Sequence, residues 1–290
     1  MNRSTIVVHG ATGAQGAPVV SRLLAAGHRV RAAVRDTGSA RLHPDAEAVF
    51  ADLSDVPSLT AAYAGADAVV VQLPLDFASG RAVAQAEAVL RALEDAKVPR
   101  AVFNAGGPVP AQPVGVPFVD ARVRLAARLP ETVPSATVIR PAATYMENLN
   151  APWSAARVMA GELAYPLPAD LAVPWLALDD LAAAVADLVT APSPPPLQVV
   201  AGPAALTGDQ AAAELAAALG RPVRWTTVDA AEYERMLAPH LGGETAAGIA
   251  AAYSQPPAGA SARPAPDPST IRVGTTTLRE WAARRDWPDR

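Results

Sequence analysis

Three glycines spaced three residues apart, Gly10, Gly13 and Gly16, form a segment with the spacing of a phosphate-binding loop. A continuous β-branched segment, residues 5–9, precedes them, and an amphipathic segment, residues 17–26, follows. Glycines at a strand-to-helix turn let the chain turn tightly, let a pyrophosphate approach the backbone, and aim the helix N-terminus at its charge. The pattern therefore predicts a dinucleotide-binding loop, and the alternative is a purely structural turn between strand and helix.

The residue that follows the second predicted strand indicates which dinucleotide binds. An Asp or Glu there accepts a hydrogen bond from the ribose 2′-hydroxyl of NAD, whereas an Arg accommodates the 2′-phosphate of NADP. Arg35 occupies this position, Asp36 follows it, and Arg41 could add a second positive contact. We therefore expect NADP(H) to be preferred over NAD(H). The alternative is that Arg35 is a solvated surface arginine.

Residues after the other strands complete the expected cofactor site. Asp52 and Leu53 follow the third predicted strand, where folds of this kind usually contact the adenine, and the alternative is an ordinary strand-end aspartate. The expected cofactor-binding residues are Gly10, Thr12, Gly13, Ala14, Gln15, Gly16, Arg35, Asp52, Leu53, Gln72, Leu73, Pro74, Asn104 and Ala105.

Strands and helices must alternate to position these residues, and the sequence predicts that they do. We predict strands over residues 5–9, 28–34, 49–51, 68–73, 101–104 and 136–140. Amphipathic segments predict helices over residues 17–26, 56–64, 81–96 and 119–129. This alternation is typical of an α/β protein with a doubly wound parallel sheet.

The pattern loosens after residue 145. We predict helices over residues 153–160, 178–188 and 206–219, a strand over 223–228, an extended loop over 255–268 and a last helix from Thr277. Thr207 with Gln210, and Thr277 with Glu280, have the spacing of helix-capping boxes. We expect a nucleotide-binding domain over 1–150 and a smaller α+β substrate-binding part over 151–290. The segment from about 176 to 190 is expected to pack back on the first domain.

The composition argues against several other classes of site. A chain of 290 residues that is 51% hydrophobic, with net charge −4, has no overall charge that favours nucleic acid or an anionic membrane. It has no cysteine, which excludes thiolate nucleophiles and Cys-ligated metals, and its four histidines lie far apart, so no metal site is expected. The longest apolar stretches fall short of the ~20 residues that span a bilayer. With no signal-peptide pattern at the start, we expect a cytoplasmic protein.

Four segments resemble the NmrA-like family of atypical short-chain dehydrogenases/reductases. They are residues 8–16, 27–35, 138–149 and 173–180, and the resemblance covers almost the whole chain. It implies an NADP-binding Rossmann domain with a small C-terminal domain that closes a substrate cleft. The family includes reductases of quinones and other small organic molecules. It also includes non-catalytic redox sensors that bind the cofactor to control a protein partner.

The residues that usually protonate the substrate in short-chain reductases are absent. Those enzymes use a Tyr, a Lys four residues later, and a Ser after the fifth strand. This chain has no Tyr between Tyr63 and Tyr145, and no Ser or Thr over residues 80–131. The best alignment of the Tyr and Lys falls on Phe118 and Arg122, where Phe cannot transfer a proton and Arg stays charged.

Three alternatives remain for the chemistry. Arg122 could hold a developing oxyanion that water protonates, or Tyr145 could be the proton donor. In the third, the protein binds NADP(H) without turnover. The competing interpretations are that Arg122 is a surface arginine beside Arg124 and Arg128, and that Tyr145 is a packing residue.

Apolar residues near these candidates predict a pocket for a flat, apolar substrate. The loop over 106–117 is rich in proline and apolar residues, and the expected pocket residues are Gly106, Phe118, Met146, Asn148 and Trp153. The alternative is that Met146, Trp153 and Trp175 form interdomain core. We expect an NADPH-dependent reductase of a small apolar carbonyl, quinone or related unsaturated compound. The alternative is a redox sensor with a protein partner; neither nucleic acid nor membrane is an expected partner.

Overall fold

The computed structural model describes residues 3–77, 80–254 and 267–288. The chain divides into two compact units, the first formed by Met1–Pro141 and Leu178–Val200 and the second by Ala142–Ala177 and Ala201–Arg290. Most of the extended loop predicted over residues 255–268 lies outside the described residues. The assignment of cofactor binding and substrate binding to separate parts of the chain stays a prediction.

Strands and helices alternate along much of the chain. In chain order, the strands are β1 (Thr5–His9), β2 (Arg29–Val34), β3 (Glu47–Phe50), β4 (Ala68–Val71), β5 (Arg100–Asn104), β6 (Ser135–Pro141), β7 (Glu162–Tyr165), β8 (Leu197–Ala201), β9 (Arg224–Thr227) and β10 (Ile271–Val273). The α-helices are α1 (Gly16–Ala25), α2 (Val56–Tyr63), α3 (Ala82–Asp95), α4 (Pro117–Thr132), α5 (Ala155–Met159), α6 (Leu178–Thr190), α7 (Gly208–Leu219), α8 (Ala230–Leu241), α9 (Gly243–Ser254) and α10 (Leu278–Ala283).

Seven strands of the first unit lie side by side in one sheet, in the order β8-β6-β5-β4-β1-β2-β3. Neighbouring strands among these seven are parallel, with Val7 opposite Arg31 between β1 and β2 and Val102 opposite Thr137 between β5 and β6. The strand order reverses between β1 and β4. In a doubly wound sheet the ligand crevice lies at that reversal, outside the carboxyl ends of the strands. The α/β, doubly wound, Rossmann-like fold predicted from the sequence is confirmed.

Apolar side chains bury both faces of this sheet. Val7 of β1, Val69 of β4 and Phe103 of β5 belong to one core with Leu59 of α2 and Leu125 of α4, and all five are fully buried. Helices α1 and α6 pack against each other, and α6 also contacts β4 and β5. Strands covered by helices on both faces need continuous apolar sequence, which is why β1 and β4 are rich in Val and Ile.

The second unit has a smaller two-stranded sheet, in which β7 and β9 are parallel. Its core is built on large aromatic side chains, including the fully buried Tyr165, Trp175 and Trp281. Both capping boxes expected from the sequence are present, at the start of α7 and at the start of α10. In the part of the chain that is described, no helix is long and apolar enough to cross a membrane.

Candidate functional site

The glycine loop makes a tight turn between β1 and α1. Gly10 has φ +64°, a left-handed conformation that favours glycine, and its carbonyl oxygen accepts a hydrogen bond from the Gly13 N–H over 2.8 Å. A Cβ on Gly16 would lie 2.2 Å from that same carbonyl oxygen, so only glycine lets α1 begin this close to the loop. The Gln15 side chain, at the N-cap, makes no capping hydrogen bond to α1. The loop therefore fits an anion, because the first N–H groups of α1 are not taken by a side-chain cap.

Two charged residues follow β2, and their side chains differ in what they contact. Arg35 is exposed, as is Arg41 a few residues later. The Asp36 carboxylate accepts a hydrogen bond from the Gly38 N–H over 3.0 Å and so is turned toward its own backbone. After β3, the Asp52 carboxylate likewise accepts from the Ser54 N–H over 2.8 Å. At the end of β2, Arg35 and Asp36 are thus both exposed, and one carboxylate oxygen of Asp36 accepts from its own loop.

Side chains at the ends of β4 and β5 meet the glycine loop. The Oε1 of Gln72 lies 3.2 Å from the position that a Cβ on Gly10 would occupy. The Nδ2 of Asn104 donates to the Oε1 of Gln15 over 2.8 Å, and the Oδ1 of Asn104 accepts from the Gly106 N–H over 3.1 Å. Residues that are far apart in sequence, but that all follow parallel strands, thus come together at one edge of the sheet.

Arg122 points from α4 toward the end of β5. Its Nη1 donates to the Ala105 carbonyl oxygen over 3.2 Å, and its guanidinium lies 4.8 Å from the ring centre of Phe118. Arg124 and Arg128, on the same helix, instead pair with Glu87 of α3. Arg122 therefore differs from its neighbours in contacting the β5 end of the sheet.

Phe77 also belongs to this region, although the sequence did not predict it. Its ring centre lies 5.0 Å from that of Phe118, which is itself buried. The Phe118 ring thus contacts both the tilted ring of Phe77 and the guanidinium of Arg122. No local sequence signal indicates this contact, since Phe77 lies in the loop after β4 and its partner is on α4.

A buried polar pair lies at the base of the glycine loop, and it too was not predicted from the sequence. The Nε2 of His9 lies 2.7 Å from the hydroxyl oxygen of Tyr63. Burial lowers the pKa of His9 from 6.5 to about 4, and burial raises the pKa of Tyr63 well above its usual value. The imidazole of His9, the residue directly before Gly10, is therefore neutral at pH 7.

The remaining candidates, Tyr145, Met146, Asn148 and Trp153, belong to the second unit. Tyr145 and Met146 are buried, and Met146 lies in the apolar core of this unit. The Trp153 ring lies 6.3 Å from that of His240. The roles of these four residues stay predictions.

Asn148 belongs to a hydrogen-bonded group of hydroxyls within the second unit. Its Nδ2 donates to the Oγ1 of Thr144 over 2.8 Å and to the hydroxyl of Tyr165 over 3.3 Å. The Tyr165 hydroxyl also lies 2.8 Å from that of Tyr253, whose pKa is raised well above its usual value by burial. A phenol with a raised pKa is a weak acid, so this group orients Asn148 better than it would donate a proton. Neither tyrosine was singled out from the sequence.

Residues 2–255 match the NmrA-like family. The chain belongs to this family. One curated relative, the NAD(P)H azoreductase of Xenophilus azovorans, is 33% identical over 229 residues, which cover 77% of each protein.

Two solved structures illustrate the NmrA-like fold. The NADPH-dependent quinone oxidoreductase of Escherichia coli, complexed with NADPH, superposes with a TM-score of 0.69 over 96% of this chain and 98% of its own, at 21% identity. The negative transcriptional regulator NmrA, complexed with NADP, superposes with a TM-score of 0.64 over 79% of this chain and 75% of its own, at 22% identity. At these identities the likeness shows the fold alone.

Within the described residues of this NmrA-like chain, no three His, Cys, Asp or Glu side chains come together in a group that could hold a metal ion. The polar groups at this edge of the sheet include the backbone of residues 10–16, the side chains of Arg35, Gln72 and Asn104, the carboxylates of Asp36 and Asp52, and Arg122 of α4. The arginines and the backbone N–H groups of the loop suit the anionic groups of an organic ligand.

Proposed function

We propose that this NmrA-like protein is an NADPH-dependent reductase of a small apolar carbonyl, quinone or related unsaturated compound. The observation that carries the proposal is the glycine loop, whose turn at Gly10 and close contact at Gly16 bring the start of α1 against the loop, where Gln15 adds no side-chain cap. The activities of two relatives support it, since one is an azoreductase and the other a quinone oxidoreductase.

The residues present fit a dinucleotide with a 2′-phosphate. The backbone of residues 10–16 would hold the pyrophosphate, and Arg35, helped by Arg41, would bind the 2′-phosphate. Asp52 and Leu53 would contact the adenine. Arg35 and Arg41 are both exposed and can pair with a 2′-phosphate, which supports a preference for NADP(H) over NAD(H). When bound, NADPH supplies a hydride.

Arg122 is the proposed catalytic residue, because it can stabilise negative charge that develops on an acceptor. The Phe118 ring and the Ala105 carbonyl hold its guanidinium in place, so it need not reorganise when that charge forms. Water would then protonate the product. Tyr145 is the rival proton donor, and Gly106, Phe118, Met146, Asn148 and Trp153 are the proposed pocket residues.

A second candidate function is a redox sensor that binds NADP(H) and regulates a protein partner. The observation that favours it is the pair Phe118 and Arg122, onto which the Tyr and Lys of short-chain reductases align best by their spacing. The regulator NmrA, which shares the fold, was solved in complex with NADP.

Two measurements test the proposal. Calorimetric titration with NADPH should show binding, and a screen of NADPH oxidation with quinones, aldehydes and azo compounds should find a substrate. Binding without any oxidation would favour the sensor. No binding of NADPH would overturn both functions.

A further inference from the structure

A side-chain hydrogen bond joins the glycine loop to the end of β5. It runs from the Nδ2 of Asn104 to the Oε1 of Gln15 over 2.8 Å, and we refer to it as the Gln15–Asn104 bridge. Asn104 is only 3% exposed, and its Oδ1 is occupied by the Gly106 N–H. Both polar ends of the Asn104 amide therefore have partners, which fixes the orientation of this buried side chain.

The bridge spans the carboxyl end of β4. In the sheet order β5-β4-β1, strand β4 lies between β5, which ends at Asn104, and β1, which precedes the glycine loop. A dinucleotide lies across the reversal between β1 and β4, with one half on each side. Arg35 and Asp52 follow β2 and β3, so the adenosine half belongs on that side. The bridge therefore lies on the side of the nicotinamide half.

The backbone after β5 lies close to two side chains, those of Gln15 and Arg122. Gly106 has φ +66°, and a Cβ on it would lie 3.7 Å from the amide nitrogen of Gln15. The Nη1 of Arg122 binds the Ala105 carbonyl oxygen and lies 3.0 Å from the position of a Cβ on Gly107. The bridge thus forms one end of a connected set of contacts that runs from the glycine loop to α4.

We propose that Gln15 and Asn104 are positioning residues that hold the glycine loop and the loop after β5 at the separation required by the nicotinamide half of the cofactor. This inference rests on the proposed binding of NADP(H). A preformed bridge reduces the ordering that binding must otherwise impose on the two loops. Loss of the bridge therefore weakens the binding only of those ligands that contact both the glycine loop and the loop after β5.

The test compares NADPH with adenosine 2′,5′-bisphosphate, which lacks the nicotinamide half. Gln15→Met keeps the length of the side chain but cannot accept the hydrogen bond, and Asn104→Leu removes the donor. We expect each variant to bind NADPH about 3- to 10-fold more weakly, the range for one lost hydrogen bond, and adenosine 2′,5′-bisphosphate within about twofold of wild type. The double variant should be no weaker than Asn104→Leu alone, because once Asn104 is replaced Gln15 has no bridge left to lose.

Hydrogen exchange gives a readout that does not depend on activity. NADPH should slow amide exchange over residues 106–116 in the wild-type protein and should do so less in Gln15→Met. Gln15 is a half-buried loop residue, so this variant keeps the test decisive if Asn104→Leu fails to fold.

Two outcomes would overturn the inference while leaving the proposed function intact. One is wild-type affinity for NADPH in both variants. The other is an equal loss of affinity for NADPH and for adenosine 2′,5′-bisphosphate. That result would show that the bridge supports only the glycine loop. A wild-type protein that binds neither ligand would overturn the proposed function and this inference together.

Discussion

The Nε2 of His9 lies 2.7 Å from the hydroxyl oxygen of Tyr63, and both side chains are buried at the base of the glycine loop. The two rings also meet edge to face, with their centres 5.6 Å apart. Because burial lowers the pKa of His9 to about 4, the imidazole stays neutral at pH 7 and the pair is a hydrogen bond between neutral groups. The loop that is proposed to bind phosphate thus directly follows a buried histidine that stays neutral at pH 7.

This pair makes stability depend on pH. Between pH 6.5 and about 4, an unfolded chain protonates this histidine and the folded chain does not. The contribution of His9 is therefore complete above pH 6.5 and is lost as the pH falls toward 4, at up to about 1.4 kcal/mol per pH unit. We expect His9→Gln, which still hydrogen-bonds Tyr63 but does not titrate, to show a shallower slope in urea unfolding measured across this range. Equal slopes in the two proteins would contradict the assignment.

Two glycines of the loop should respond differently to substitution. Gly13 is exposed, and a Cβ there would lie 3.3 Å from the Gly10 carbonyl oxygen. We expect Gly13→Val to fold but to lose NADPH binding in calorimetry, because the side chain occupies the space of the pyrophosphate. Gly16→Ala should instead lower the free energy of unfolding by about 1–3 kcal/mol or more, since its Cβ meets backbone at 2.2 Å. Normal NADPH binding by Gly13→Val would show that the loop does not hold phosphate.

Arg35 should determine the choice of cofactor. We expect Arg35→Ala to bind NADPH about 10- to 100-fold more weakly, as for a lost charge-assisted hydrogen bond, and NADH within about twofold of wild type. Titration of one protein with both cofactors provides the control, because a general defect would weaken both. Equal losses for NADPH and NADH would rule out a contact with the 2′-phosphate.

Local sequence signals predicted the parts of the fold that depend on neighbouring residues. The strand before Gly10, the turn at the glycines and the capping boxes at Thr207 and Thr277 all involve residues within a few positions of one another. These features can therefore be predicted without knowledge of the rest of the chain.

The elements that were not predicted depend on distant partners. Strand β8 follows a proline-rich connector and is a strand because it pairs with β6, where Val199 lies opposite Arg140. Strand β7 has four residues and forms a sheet only with β9. The contacts of Phe77 with Phe118, and of His9 with Tyr63, likewise join residues about forty and fifty positions apart. Such pairs leave no periodic pattern in the sequence.

The last prediction separates Arg122 from an arginine beside it on the same helix. We expect Arg122→Ala to lower kcat by ~10²–10³ with an acceptor that develops negative charge, because one preorganised stabilising group is removed. Arg124→Ala is the matched control: it removes an ion pair with Glu87 on the exposed side of α4 and should leave kcat within about twofold. Tyr145→Phe tests the rival proton donor, for which a loss of ~10²–10⁴ is expected. If Arg122→Ala and Arg124→Ala change the turnover of a verified substrate equally, Arg122 has no special role in catalysis.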